Sequence, residues 1–89
     1  MRVRRRVVVH GRVQGVFFRD TCRREARRFG VTGFVRNVHD GTVEAVFEGD
    51  PDAVSAMVDW VHVGPDQAQV SRVEVVVEEP EGLTEFAVR

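Results

Sequence analysis

Gly11, Gly15, Phe17, Phe18 and Arg19 fall in the stretch GRVQGVFFRD, where an alternating apolar run gives way to a basic, helix-like one. A loop closing into a helix N-terminus presents backbone N–H groups that lack intrahelical partners. The helix dipole adds partial positive charge there, so such a junction suits a phosphate. Glycine at position 15 lets the backbone wrap with no side chain in the way. Arg19, in the first helical turn, can add a bidentate, charge-assisted fork to the same anion. The same residues also describe an ordinary strand-to-helix turn with a solvated arginine, which is the commoner meaning of such a pattern. Asn37 is a second candidate. Period two along 31–39 places it on one face with Val35 and Gly33. An amide beside the core must be hydrogen-bonded or it is costly. It either caps the turn near Asp40-Gly41 or orients a water molecule. His10 and His39 read as surface residues, and Cys22 as a packing residue.

These residues need elements to hold them. Residues 3–10 read as a strand, with Val7 and Val9 on one face and Val8 and His10 on the other. Residues 11–16 read as a loop. Phe18, Cys22, Ala26 and Phe29 form a helical apolar stripe over about 18–29, with Arg23, Arg24, Arg27 and Arg28 directed away from it. Gly30 is the expected left-handed stop. A second strand covers 31–39, and Asp40-Gly41 predicts a two-residue hairpin turn. A third strand covers 42–48, with Val43, Ala45 and Phe47 inward and Glu44 and Glu48 outward. Asp50 and Pro51 open a second helix as cap and first residue, and Gly64-Pro65 closes it. Its buried stripe is Val54, Met57, Val58 and Val61, with Trp60 beside it. A fourth strand covers 70–78, and a short closing strand 84–88. The order is that of a ferredoxin-like βαββαβ sandwich of the α+β class. The expected architecture is an antiparallel sheet of four to five strands with two helices on one face, in a single domain spanning 1–89.

The run from Gly11 to Arg19 resembles the first signature of the acylphosphatase family, G-x-V-Q-G-V-x-[FY]-R. Gly33-Phe34-Val35-Arg36-Asn37, followed at the right spacing by Gly41-Thr42-Val43 and Gly49, resembles the second. Together the two cover 26 of the 89 residues, in the family's order. The resemblance implies hydrolysis of the carboxyl–phosphate anhydride of acyl phosphates to a carboxylate and inorganic phosphate. Carried over by position, it implies that Arg19 binds the phosphoryl oxygens. The backbone amides of Gln14, Gly15, Val16, Phe17, Phe18 and Arg19 cradle the same group. Asn37 holds the attacking water, and Thr42 supports Asn37 from the neighbouring strand. No metal or organic cofactor is implied. Phe34 stands where many members have tryptophan, a change expected to alter packing rather than chemistry.

Such chemistry suits a small site. The leaving carboxylate has a pKa of about 4–5, like an acidic side chain, so it departs without a general acid. Phosphoryl transfer needs mainly positioning and charge stabilisation. With no strong general base in view, a phosphate oxygen of the substrate is the expected proton acceptor.

Composition bounds the alternatives. The chain has one cysteine and three histidines, no disulfide partner and no zinc-ligand spacing. Its 13 basic residues are all arginine, which removes lysine Schiff-base chemistry and a Walker lysine. MRVRRR lacks the apolar run of a signal peptide, and nothing reads as a membrane span, so a cytoplasmic protein is expected; a monomer is the expected state, although no sequence feature sets it. Residues 1–36 hold eleven arginines and two acids, whereas 37–89 hold two arginines and twelve acids. Either the two halves interleave and neutralise each other, or the first third carries a positive field. The second option motivates an alternative, a non-catalytic ferredoxin-like nucleic-acid-binding module. Against it, the strands lack the aromatics that stack bases, so a small-molecule acyl phosphate is the expected partner and nucleic acid is not. A third option, a carbamoyl phosphate domain of a larger maturation enzyme, is disfavoured by a strand that runs to Arg89.

Overall fold

The computed structural model describes residues 1–89. Its elements are β1 (Val3–Arg12), α1 (Phe18–Phe29), β2 (Thr32–Asn37), β3 (Val43–Gly49), α2 (Pro51–Val63), β4 (Gln69–Glu78) and β5 (Phe86–Val88). The sheet order is β4-β1-β3-β2-β5. Both helices pack on one face, as the alternating strands demand: Val7, Val9, Val35, Val43, Ala45 and Phe47 point to that face and are buried. Phe18, Cys22 and Ala26 of α1 and Val54, Met57 and Val61 of α2 meet them in one core. Phe18 and Trp60 join the helices, their ring centroids 5.3 Å apart.

The sheet is mixed rather than antiparallel throughout. β5 runs parallel to β2, pairing Gly33 with Phe86 and Val35 with Val88. The chain leaves β4 at one edge, crosses the end of the sheet and enters the other edge, so no hairpin constrains its direction. This route delivers the 88–89 segment to the same end of the sheet as Asn37.

Several local expectations change. β1 continues to Arg12 through a bulge between His10 and Gly11. A Cβ on Gly11 would come within 2.1 Å of the Gln69 carbonyl oxygen, which is why glycine sits at the bulge. The β2–β3 turn holds three residues, not two. Gly41 N–H donates to Val38 at 3.0 Å, and Val38 N–H donates to Thr42 at 2.9 Å. Gly41 takes the left-handed bulge position, φ 94°. Phe29 ends α1 on the surface, with the Arg28 guanidinium 4.8 Å from its ring centre. Asp50 precedes α2 without a side-chain cap bond.

Glu48 is the largest departure. Alternation puts it on the helix-free face, as expected, but it is fully buried there. Its carboxylate accepts from Arg4 at 2.7 Å and from the backbone N–H groups of Glu81, Gly82 and Leu83 at 2.9–3.1 Å. Burial opposes its ionisation, but the Glu81 N–H, the Arg4 guanidinium and the Leu83 and Gly82 N–H groups outweigh it. The carboxyl is held down at about 2. Glu48 therefore anchors the segment that carries the chain from β4 to β5.

Candidate active site

The bulged end of β1 leads into residues 13–17, pinned by buried Val13 and Val16. Gly15 has φ 73° and Phe17 φ 64°, both left-handed. A non-glycine residue in that region is uncommon, and here it turns the chain into the first turn of α1. Phe18 follows with its ring buried against Trp60, which fixes the rotation of α1.

Between Gln14 and Asp20, no backbone N–H donates to an acceptor within the protein. The first such bond of the helix runs from Thr21 N–H to Phe17 at 3.1 Å. A loop with left-handed residues and free amides, opening onto a helix N-terminus, has the form that suits an anion.

A cleft of about 390 Å³ opens at this loop. Gly15, Phe17, Phe18, Arg19 and Asn37 all line it, so the structure brings together residues 18 positions apart in the chain. Val13 and Val88 give it an apolar wall. Arg19 makes a single hydrogen bond within the protein, Nη1 to the main-chain oxygen of Arg89 at 3.3 Å. Arg89 N–H in turn donates to Val35 at 2.9 Å, and its guanidinium lies 3.9 Å over the Phe34 ring. The parallel strand β5 thus helps to aim Arg19. The rest of the Arg19 fork remains available. Asn37, at the end of β2 opposite Val43, makes no side-chain hydrogen bond within the protein and caps no turn. Its amide is free to bind a molecule in the cleft.

Two expected roles look different in place. Thr42 donates its hydroxyl to Asp40 at 2.6 Å and its N–H to the same oxygen at 3.0 Å, and makes no bond to Asn37. The pair of donors, hydroxyl first, lowers the pKa of Asp40 and braces the hairpin. Gln14 was expected to contribute only its backbone. Its side-chain amide donates to Val38 at 2.8 Å and to Thr42 at 2.9 Å, tying the loop to the β2–β3 hairpin. Nothing in the local pattern marks this link, because it joins segments far apart in the chain.

Arg23, expected to point away, lines the cleft together with Asp20, to which it donates at 3.2 Å. Cys22 is buried beneath α1, where burial pushes its thiol pKa up and keeps it an inert thiol. His10 bonds Glu74 on the helix-free face and His39 is exposed in the hairpin turn, so neither reaches the cleft. No group of three or more His, Cys, Asp or Glu side chains converges on a metal-sized site.

The two charged halves of the sequence interleave on the helix-free face. Arg4 pairs with Glu48 and Glu78, Arg6 with Glu44 and Glu78, and Arg36 with Glu44, at 2.6–2.9 Å. The paired arginines lie across the sheet from the cleft.

A family model described as Acylphosphatase matches residues 5–88. An acylphosphatase of Thermococcus kodakarensis is 60% identical over 87 residues, covering 98% of this chain and 96% of that protein. One of Gloeobacter violaceus is 55% identical over 86 residues, covering 97% and 92%. Among solved structures, an acylphosphatase from Coxiella burnetii superposes with a TM-score of 0.95 at 39% identity, over 99% of this chain and 93% of that one.

Proposed function

The chain belongs to the acylphosphatase family and hydrolyses acyl phosphates, and we propose that the loop 14–19, Arg19 and Asn37 perform the reaction. In this reading the phosphoryl oxygens take up the free N–H groups of Gln14 through Arg19 and the open part of the Arg19 fork. Asn37 holds a water in line with the bond to be broken. The water oxygen forms a bond to phosphorus as the bond between phosphorus and the acyl oxygen breaks. The electron pair leaves with the carboxylate. One water proton stays on the new phosphate and the other passes to a phosphate oxygen, giving a carboxylate and dihydrogen phosphate. Fixed amides and one guanidinium need no reorganisation as charge shifts from phosphate to leaving group.

The observation that carries this reading is the run of unpartnered backbone N–H groups beside Arg19, facing a cleft that also holds the unpartnered Asn37 amide. Thr42 acts in it through the hairpin, with Asp40, rather than by direct contact. No metal or organic cofactor enters any step. Residues 1–89 are read as a single domain, which the 96% coverage of the Thermococcus kodakarensis relative supports. It is read as a cytoplasmic monomer without nucleic-acid or membrane partners. The helix-free face, its arginines already paired with carboxylates, offers little for a phosphate backbone, and no helix is long and apolar enough to cross a membrane.

The test is hydrolysis of benzoyl phosphate by wild type and Arg19 variants, in EDTA. Wild type should be active. Arg19→Ala should lose at least roughly 10²–10³ in rate, the usual cost of a positioned donor. Arg19→Lys should remain severely impaired, because a point charge does not replace the fork. Near-normal rates in either variant would remove Arg19 from the mechanism, and loss of wild-type activity in EDTA would overturn the metal-free reading.

A further inference from the structure

We infer that Arg23 reads a distal carboxylate on the acyl group, so that monoacyl phosphates of dicarboxylic acids are favoured substrates; the inference rests on the reading of the cleft given above. Arg19 and Arg23 lie four residues apart on α1, on one face and about 6 Å apart along the axis. Both line the same cleft. With the phosphoryl group in the loop at the helix N-terminus, an acyl chain two or three carbons long that follows α1 brings its far end to Arg23. The apolar side chains of Val13, Phe17 and Val88 line the same cleft.

The state of Arg23 suits this task. Its one hydrogen bond within the protein is to Asp20, at 3.2 Å, with the two side chains 40% and 62% exposed. Such an exposed pair contributes little and exchanges readily for another anion. A carboxylate on the substrate can meet the guanidinium with two parallel bonds where Asp20 makes one. No other basic side chain besides Arg19 and Arg23 lines the cleft. Arg24 bonds Thr21 and borders a separate hollow, beside Pro65. A neutral acyl group leaves Arg23 with Asp20 and gains nothing from it, so the residue discriminates between substrates without touching the bond that breaks.

Steady-state kinetics on benzoyl phosphate and succinyl phosphate test this with wild type, Arg23→Gln and Arg23→Lys. Arg23→Gln should raise KM for succinyl phosphate about 10-fold at low salt, an effect that shrinks as salt rises. Its kcat, and both constants for benzoyl phosphate, should stay within about twofold of wild type. Arg23→Lys should restore part of the lost affinity. Equal losses on both substrates would make Arg23 a residue of the phosphate site or of the fold, and unchanged constants on both would remove it from recognition. Either result overturns the inference while leaving the wild-type reaction intact. A wild type inactive on benzoyl phosphate strikes the underlying reading instead, and the inference falls with it.

Discussion

Gln14 Nε2 donates to the main-chain oxygen of Thr42 at 2.9 Å, and this bond joins the β1–α1 loop to the hairpin that follows Asn37. A second bond from the same nitrogen, to Val38 at 2.8 Å, makes the link a clamp. The two parts of the site, one on the β1–α1 loop and one on β2, are thereby held in register.

Gln14→Ala should release both parts. Losing two hydrogen bonds, while both carbonyls keep their hairpin N–H donors, should cost about 1–3 kcal/mol of stability. Thermal unfolding would read this loss, and hydrolysis assays below the melting point should show a fall of about 10-fold in kcat/KM as the 14–19 loop and Asn37 drift apart. Unchanged stability and rate would mean the clamp is idle.

Gly15 has open space around its Cα but a positive φ of 73°. Substitution should therefore act through backbone strain and not through a clash. Gly15→Ala should destabilise by roughly 1–2 kcal/mol, with Gly15→Asn costing less, because asparagine tolerates the left-handed region. Denaturant midpoints in the order Gly, Asn, Ala would agree. An alanine variant as stable as wild type would contradict the left-handed assignment.

Glu48 makes the fold sensitive to acid. Its carboxyl binds a proton more weakly when folded, about 2 against an ordinary 4.5. The stabilisation is therefore complete above about pH 4.5 and drains away as the pH falls toward 2, amounting to about 3 kcal/mol. Glu48→Gln should be less stable at pH 7, and its stability should fall less steeply than that of wild type between pH 5 and pH 2, in the window those two pKa values define. Parallel stability curves for the two proteins would show that this carboxylate does not set the acid response.

What the sequence made legible was local, and what it hid was long-range. The α1 stripe of Phe18, Cys22 and Ala26, the Gly30 stop and the two glycine-containing signatures all declare themselves within a few residues. The expected ferredoxin-like arrangement of two helices on one face is observed. Glu48 shows the opposite case. Its alternation with Phe47 assigns it to the helix-free face, where Arg4 and the crossing segment 81–83 bond its carboxylate. The same crossing sets the direction of β5, which no hairpin signal could reveal. The helix pattern directs Arg23 away from the apolar stripe and does not reveal the cleft, because its place there depends on where α1 lies against the loop and β5. Asp40-Gly41 marked the turn, but His39 joins the loop because Gly41 serves as its bulge.

The proposed mechanism divides the labour, with Arg19 and the loop binding phosphate and Asn37 positioning water. Measuring kcat for benzoyl phosphate together with the inhibition constant of inorganic phosphate for folded Asn37→Ala tests it most directly. The kcat of this variant should fall roughly 10²-fold or more, with phosphate inhibition within a few-fold of wild type. A variant that keeps its kcat, or that loses phosphate binding in step with its rate, would contradict it.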